Sequence, residues 1–104
     1  MQARELQRLL KSKKPPKLLD VRSGMEFRTG HIPGAEHLPF WKVIFRLARL
    51  PDNKETHIIV LCESGARAEL AISMLSKRGY CRLESLEGDM INWRRAGFEM
   101  VKGA

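Results

Sequence analysis

Cysteine is scarce in this chain of 104 residues: there are two, Cys62 and Cys81, and no C-x-x-C pair. That excludes a disulfide framework. The three histidines, His31, His37 and His57, lie in separate segments without the i, i+4 spacing of a zinc helix, so no metal site is expected. No run approaches the ~20 apolar residues of a membrane span. The N-terminal stretch MQARELQRLLKSKKPP is polar and basic and does not read as a signal peptide. A cytoplasmic protein with no membrane partner is the resulting expectation. Internal repeats and low-complexity segments are also missing.

Acidic residues are outnumbered, 12 against 19 Lys and Arg, for a net charge of +7. Apart from KSKKPPK the basic residues are scattered, and no zinc-finger, RNP or homeodomain pattern accompanies them. A nucleic-acid partner is therefore not expected. Most of this charge is solvated surface, although a small anionic substrate would benefit from it. The length suits one domain spanning residues 1–104.

Strand and helix patterns alternate along the chain. Leu6, Leu9 and Leu10 mark one face of a short helix that KSKKPPK breaks. LLDV (18–21) reads as a buried strand, and Ser23 with Glu26 has the spacing of a capping box. TGHIPGA (29–35) is a loop and EHL (36–38) a short strand. Trp41, Ile44, Phe45 and Ala48 follow helical spacing and are read as packing residues. HIIVL (57–61) is the clearest strand. Ala68, Ala71, Ile72 and Leu75 share one helical face, and Gly79 lies just past Lys77 and Arg78 at the end of that helix. YCRLESL (80–86) reads as a strand that Cys81 opens near the opposite edge of the sheet, too far to bridge to Cys62. Asp89 is expected to cap a last helix that holds Trp93 in the core and stops at Gly97. The pattern implies an α/β sandwich with a mainly parallel sheet and helices on both faces.

Cys62 thus falls at the carboxyl end of a central strand, where open α/β sheets build their sites. The next residues, Glu63, Ser64, Gly65, Ala66 and Arg67, curl into a helix start that aims several N–H groups at one point. Such a cradle, with a nearby guanidinium, favours a thiolate over a thiol.

The motifs LLDVR (18–22), EFRTGHIPGAEHLP (26–39), IIVLCESGARA (58–68), GY (79–80), LEGD (86–89) and Trp93 stand in the order found in single-domain rhodaneses, which the chain resembles from about Leu18 to Gly97. The resemblance implies a three-layer sandwich with a mainly parallel central sheet of four to five strands. It also implies a sulfurtransferase. The loop cysteine takes a sulfane sulfur from a donor such as thiosulfate, becomes a persulfide, and passes the sulfur to cyanide or a thiol. By position, Cys62 carries the persulfide and residues Glu63 to Arg67 form the cradle. Asp20 and Arg22 support the neighbouring loops, and no metal or organic cofactor is needed. Expected partners are a small sulfur anion or persulfide donor and a thiol or protein sulfur acceptor. The chain itself is expected to be a monomer.

Two features depart from that pattern. Glu63 stands beside the nucleophile and opposes a dianionic donor, which points to thiosulfate as a poor donor. The edge strand that usually opens this fold is missing or reduced to MQA. Two alternatives remain open. A phosphatase of related architecture has C-x-x-x-x-x-R, one residue longer than CESGAR, and its larger ring encloses a phosphate. A non-catalytic interaction module commonly lacks the cysteine that is present here, whereas a sulfur-relay module keeps it and passes sulfur to a docked protein.

Overall fold

The computed structural model describes residues 1–103. Five helices and four strands alternate along it: α1 (Ala3–Leu10), β1 (Lys17–Asp20), α2 (Gly24–Thr29), β2 (Glu36–His37), α3 (Phe40–Ile44), β3 (Ile58–Leu61), α4 (Ala66–Lys77), β4 (Leu83–Ser85) and α5 (Asp89–Arg95). The strands form one sheet in the order β2-β1-β3-β4, and every pairing is parallel. This is the expected three-layer α/β sandwich, with four strands.

Alternation along β1 and β3 sorts their side chains to two faces. Leu19, Ile58 and Val60 pack with Val43 of α3 and with Ala68, Ala71 and Leu75 of α4. Leu18, Ile59 and Leu61 pack on the other side with Ala3 and Leu6 of α1 and with Met90 and Trp93 of α5. Both faces of β3 are covered, which is why its pattern is a continuous apolar run and not an alternating one. Trp93 is a core residue, as expected, and Met90 is buried beside it.

The Met1 ammonium donates to the Ser85 carbonyl at 2.8 Å, and the Glu87 N–H donates to the Met1 carbonyl at 2.8 Å. One residue therefore extends the sheet beyond β4. No helix among the described residues is long and apolar enough to cross a membrane.

Three expectations change. The strand predicted over 80–86 shortens to Leu83–Ser85, so Cys81 precedes it and lies exposed. The 40–50 helix shortens to five residues. It ends in a Schellman motif, in which the Leu47 N–H donates to the Lys42 carbonyl at 2.8 Å and the Arg46 N–H to that of Val43 at 3.2 Å. Arg46 takes the left-handed position, at φ 57°. With the helix cut short, Trp41, Ile44 and Phe45 of the supposed packing stripe stay exposed, and Ala48 packs against the rim of the core. Trp41 is 51% exposed and Phe45 68%, while Val43 is the buried residue of α3. Finally, Asp89 is not a helix cap: Gly88 holds that position and the Asp89 carboxylate turns elsewhere.

Arg46 holds a conformation that costs an L-residue energy and a glycine almost none. Replacing it with glycine, Arg46→Gly, is expected to stabilise the protein by about 0.5–1 kcal/mol, read as a higher urea midpoint at unchanged slope.

Candidate functional site

β3 ends at Leu61, and Cys62 follows at its carboxyl end. Its sulfur accepts a hydrogen bond from the Gly65 N–H at 2.9 Å. Gly65 is also the N-cap of α4 and has φ 113°, a conformation that favours glycine. The turn it makes points the opening N–H groups of the twelve-residue α4 (Ala66, Arg67 and Ala68) toward the loop side, and none of them has an acceptor within its own helix. Cys62 is nearly fully buried, at 1% exposure, beside Val60 and Ala68.

The loop is anchored from the far side of the sheet's edge by the start of α5. The Cys62 N–H donates to Asp89 Oδ1 at 3.0 Å. In return, the Met90 N–H donates to the Cys62 carbonyl at 3.1 Å and the Ile91 N–H to that of Glu63 at 3.4 Å. Asp89 has φ 49°, which turns its side chain toward the loop. Burial pushes its carboxyl pKa up, the Cys62 N–H draws it back, and the charge of Glu69 adds to the rise. A Cβ on Gly65 would meet Asp89 Oδ2 at 2.9 Å, so a side chain there would have to displace that carboxylate as well as adopt an unfavourable backbone angle.

Asp20 and Arg22, expected as supporting residues, form a buried ion pair. Arg22 Nε lies 3.0 Å from Asp20 Oδ1, and Nη2 lies 2.8 Å from Oδ2. Nη2 also donates to the Gly30 carbonyl at 2.7 Å, which ties down the loop after α2. Nη1 reaches Glu63 Oε1 at 3.4 Å. The His37 ring bonds the Arg22 carbonyl at 2.8 Å. Within the 29–35 loop, Ile32 to Ala35 close a turn by a 3.0 Å bond, with Pro33 and Gly34 at its centre and Gly34 at φ 88°.

Arg67 does not reach back to the sulfur with a hydrogen bond. It forks onto Glu26, Nη1 to Oε1 at 2.8 Å and Nη2 to Oε2 at 3.0 Å. This pairing is the main reason the Glu26 carboxyl is pulled down to about 2, against the opposing effect of burial, and it raises the guanidinium in turn. Glu26 also completes the expected capping box with Ser23. Glu63 turns its carboxylate between Arg22 and Arg94, with Arg94 Nη2 in direct contact. Above the loop these residues open into a cleft of about 440 Å³, lined by Arg22, Met25, Glu26, Glu63, Arg94 and Met100. A second cleft, on the other side, is lined by Ser64, Gly65 and Ala66 and by Glu69, Glu87 and Asp89.

The structure therefore brings Cys62 together with Gly65 and the α4 start, and Asp20 with Arg22 and Glu63. It adds three residues that sequence reasoning passed over as site residues: Glu26, Asp89 and Arg94. The capping-box spacing located Glu26 but gave no hint of Arg67.

A family model for the rhodanese-like domain matches residues 2–96. The chain is similar to a sulfurtransferase of Allochromatium vinosum, 34% identical over 84 residues, which are 81% of this chain and 77% of that one. It is also similar to a putative sulfur carrier protein of Bacillus subtilis, YrkF, 37% identical over 76 residues. These cover 73% of this chain and 40% of that relative's length. Among solved structures it is similar to the human single domain sulfurtransferase TSTD1, with a TM-score of 0.79 and 26% identity, covering 91% of this chain and 94% of that one.

Two outcomes follow from the site's contacts. The depressed Glu26 pKa adds stability that is fully present above its unfolded value near 4.5 and is lost as pH falls through about 2. Glu26→Gln is expected to cost about 1 kcal/mol at pH 7, discounted because the pair is partly solvated. Wild type and variant should converge on acidification between those two values, measured by urea unfolding at each pH. Gly65→Ala is expected to destabilise by about 2 kcal/mol, since it meets both a left-handed backbone and the Asp89 carboxylate. An unchanged urea midpoint for Gly65→Ala would show that the loop can relax.

Proposed function

The chain belongs to the rhodanese-like domain family, and from that premise we propose that it is a sulfurtransferase that carries a sulfane sulfur as a persulfide on Cys62. The observation that carries the reading is the Gly65 N–H on the Cys62 sulfur at the mouth of α4. Backbone N–H groups and the positive end of a helix stabilise a sulfur anion at that position. Family membership and the sulfurtransferase-named relatives support sulfur transfer in general.

The chemistry runs in two displacements. The Cys62 thiol first loses its proton to solvent. The thiolate then attacks the outer sulfur of thiosulfate: a new S–S bond forms, the donor's S–S bond breaks, and sulfite leaves with the electron pair. The product on the enzyme is again singly charged, Cys62–S–S⁻, so the same N–H groups serve both states. In the second step the carbon of cyanide, or a thiolate sulfur, attacks the terminal sulfur. The electron pair of the breaking bond returns to Cys62. With cyanide the product is thiocyanate, and with a thiolate it is that thiol's persulfide. Sulfur supplies both nucleophile and leaving group, and the loop supplies fixed dipoles where negative charge sits.

Glu63 to Arg67 shape the cradle in this reading, through their backbone and not through charged side chains. Arg67 fixes the loop against α2 through Glu26. Asp20 and Arg22 hold the wall of the cleft. The phosphatase alternative is less well supported. The loop is one residue shorter, and Gly65 is already in contact with the sulfur, which leaves less room for a phosphate ring.

Intact-mass spectrometry tests the proposal. Incubation with a panel of sulfane donors, thiosulfate among them, is expected to add one sulfur of about 32 Da that cyanide removes and that Cys62→Ser never gains. A cyanide-labile gain that persists in Cys62→Ser would move the chemistry to Cys81. No gain from any donor would leave an interaction module.

A further inference from the structure

Resting on that reading of Cys62, we propose that the site selects a singly charged sulfane donor with an apolar body over dianionic thiosulfate, and that Glu63 sets this preference by occupying Arg94. The chain carries +7, yet that charge is not at the site. The cleft above the loop is lined by two cations, Arg22 and Arg94, and two anions, Glu26 and Glu63. Each cation is already engaged, Arg22 by Asp20 and Glu63, and Arg94 by Glu63. The cation next to them, Arg67, is spent on Glu26. The cleft on the other side of the loop has Glu69, Glu87 and Asp89 and no cation. Among the described residues, neither cleft beside the cysteine loop is lined by an unpaired positive side chain.

A thiolate at Cys62 makes the approach net negative. Coulomb repulsion on a dianion is twice that on a monoanion at the same distance, while the helix N–H groups can compensate about half a charge. The Glu63 carboxylate stands where a donor's own anionic group would meet Arg94. It behaves as an internal competitor for that guanidinium. The remaining lining, Met25 and Met100, is apolar and polarisable and suits a hydrocarbon body on the leaving group. Met25 is 74% exposed, so its side chain offers apolar surface to such a group.

The experiment compares two donors that deliver the same sulfur. Thiosulfate carries two charges. Benzenethiosulfonate carries one charge and an aromatic ring. In its reaction the Cys62 thiolate forms a bond to the outer sulfur, the donor's S–S bond breaks, and benzenesulfinate leaves with the electron pair. Initial rates of sulfur loading with cyanide as acceptor give kcat/KM for each donor in wild type, Glu63→Gln, Arg94→Gln and the double variant.

Wild type should favour benzenethiosulfonate. Glu63→Gln should raise kcat/KM for thiosulfate about fivefold, the scale of one partly solvated charge interaction, with a smaller change for benzenethiosulfonate. That gain should disappear in the double variant, because Arg94 is what Glu63 releases. Added salt should shrink the difference between donors. A thiosulfate preference in wild type, or an unchanged donor ratio in Glu63→Gln, would overturn the inference. So would a gain that survives loss of Arg94, since plain repulsion by Glu63 would then be enough. If neither donor loads sulfur onto Cys62 by mass in any variant, the persulfide reading itself falls, and the inference with it.

Discussion

The buried pair of Asp20 and Arg22 is the constraint on which the site is built. Asp20 is fully buried and Arg22 nearly so, and neither charge is tolerable at that depth without the other. A guanidinium has five donors, and here they fan outward from the end of β1. One set closes on Asp20, one reaches the Gly30 carbonyl, and one reaches Glu63. The loop after α2 and the loop after β3 are thus referred to a single rigid group. The cost of burying charge is offset by several bonds made together, and the geometry of the cleft follows from them.

Charge in this protein is arranged in two regimes. Most of the excess cations are exposed on α1, on the segment 11–14 and along 42–49. At the cysteine loop the guanidinium groups are engaged by carboxylates: Arg67 by Glu26, Arg94 by Glu63, and Arg22 by Asp20 and Glu63. The first pair joins α4 to α2, and the second joins α5 to the loop itself. They also leave a main-chain N–H, that of Gly65, as the partner of the sulfur.

Much of the architecture was legible in the sequence, since it rests on local rules. The apolar run 58–61, the capping box at Ser23 and Glu26, and the basic end of α4 before Gly79 all appear as read. Position alone placed Cys62 at the sheet's carboxyl edge. What was not legible is the pairing of the charged groups. Glu26 and Arg67 lie 41 residues apart, and Glu63 and Arg94 lie 31 apart. No spacing rule connects them. Asp89 was misread for a related reason: an aspartate at a helix start suggests a cap, but this one is turned by a positive φ toward an N–H 27 residues away. The α3 stripe failed differently. Its period is helical, but the helix stops at a left-handed arginine, which no local preference for glycine would have located.

The main-chain bonds between Cys62–Glu63 and Asp89–Ile91 make the turn after Cys62 a composite of two segments. Its curvature is not stored in CESGAR alone. Lifted into another strand–helix junction, those six residues would keep their letters and lose the carboxylate beneath Cys62 and the two donors beneath its carbonyl and that of Glu63. For a designer grafting this turn, and for a lineage exchanging it by recombination, the smallest portable unit is residues 62–67 together with 88–91.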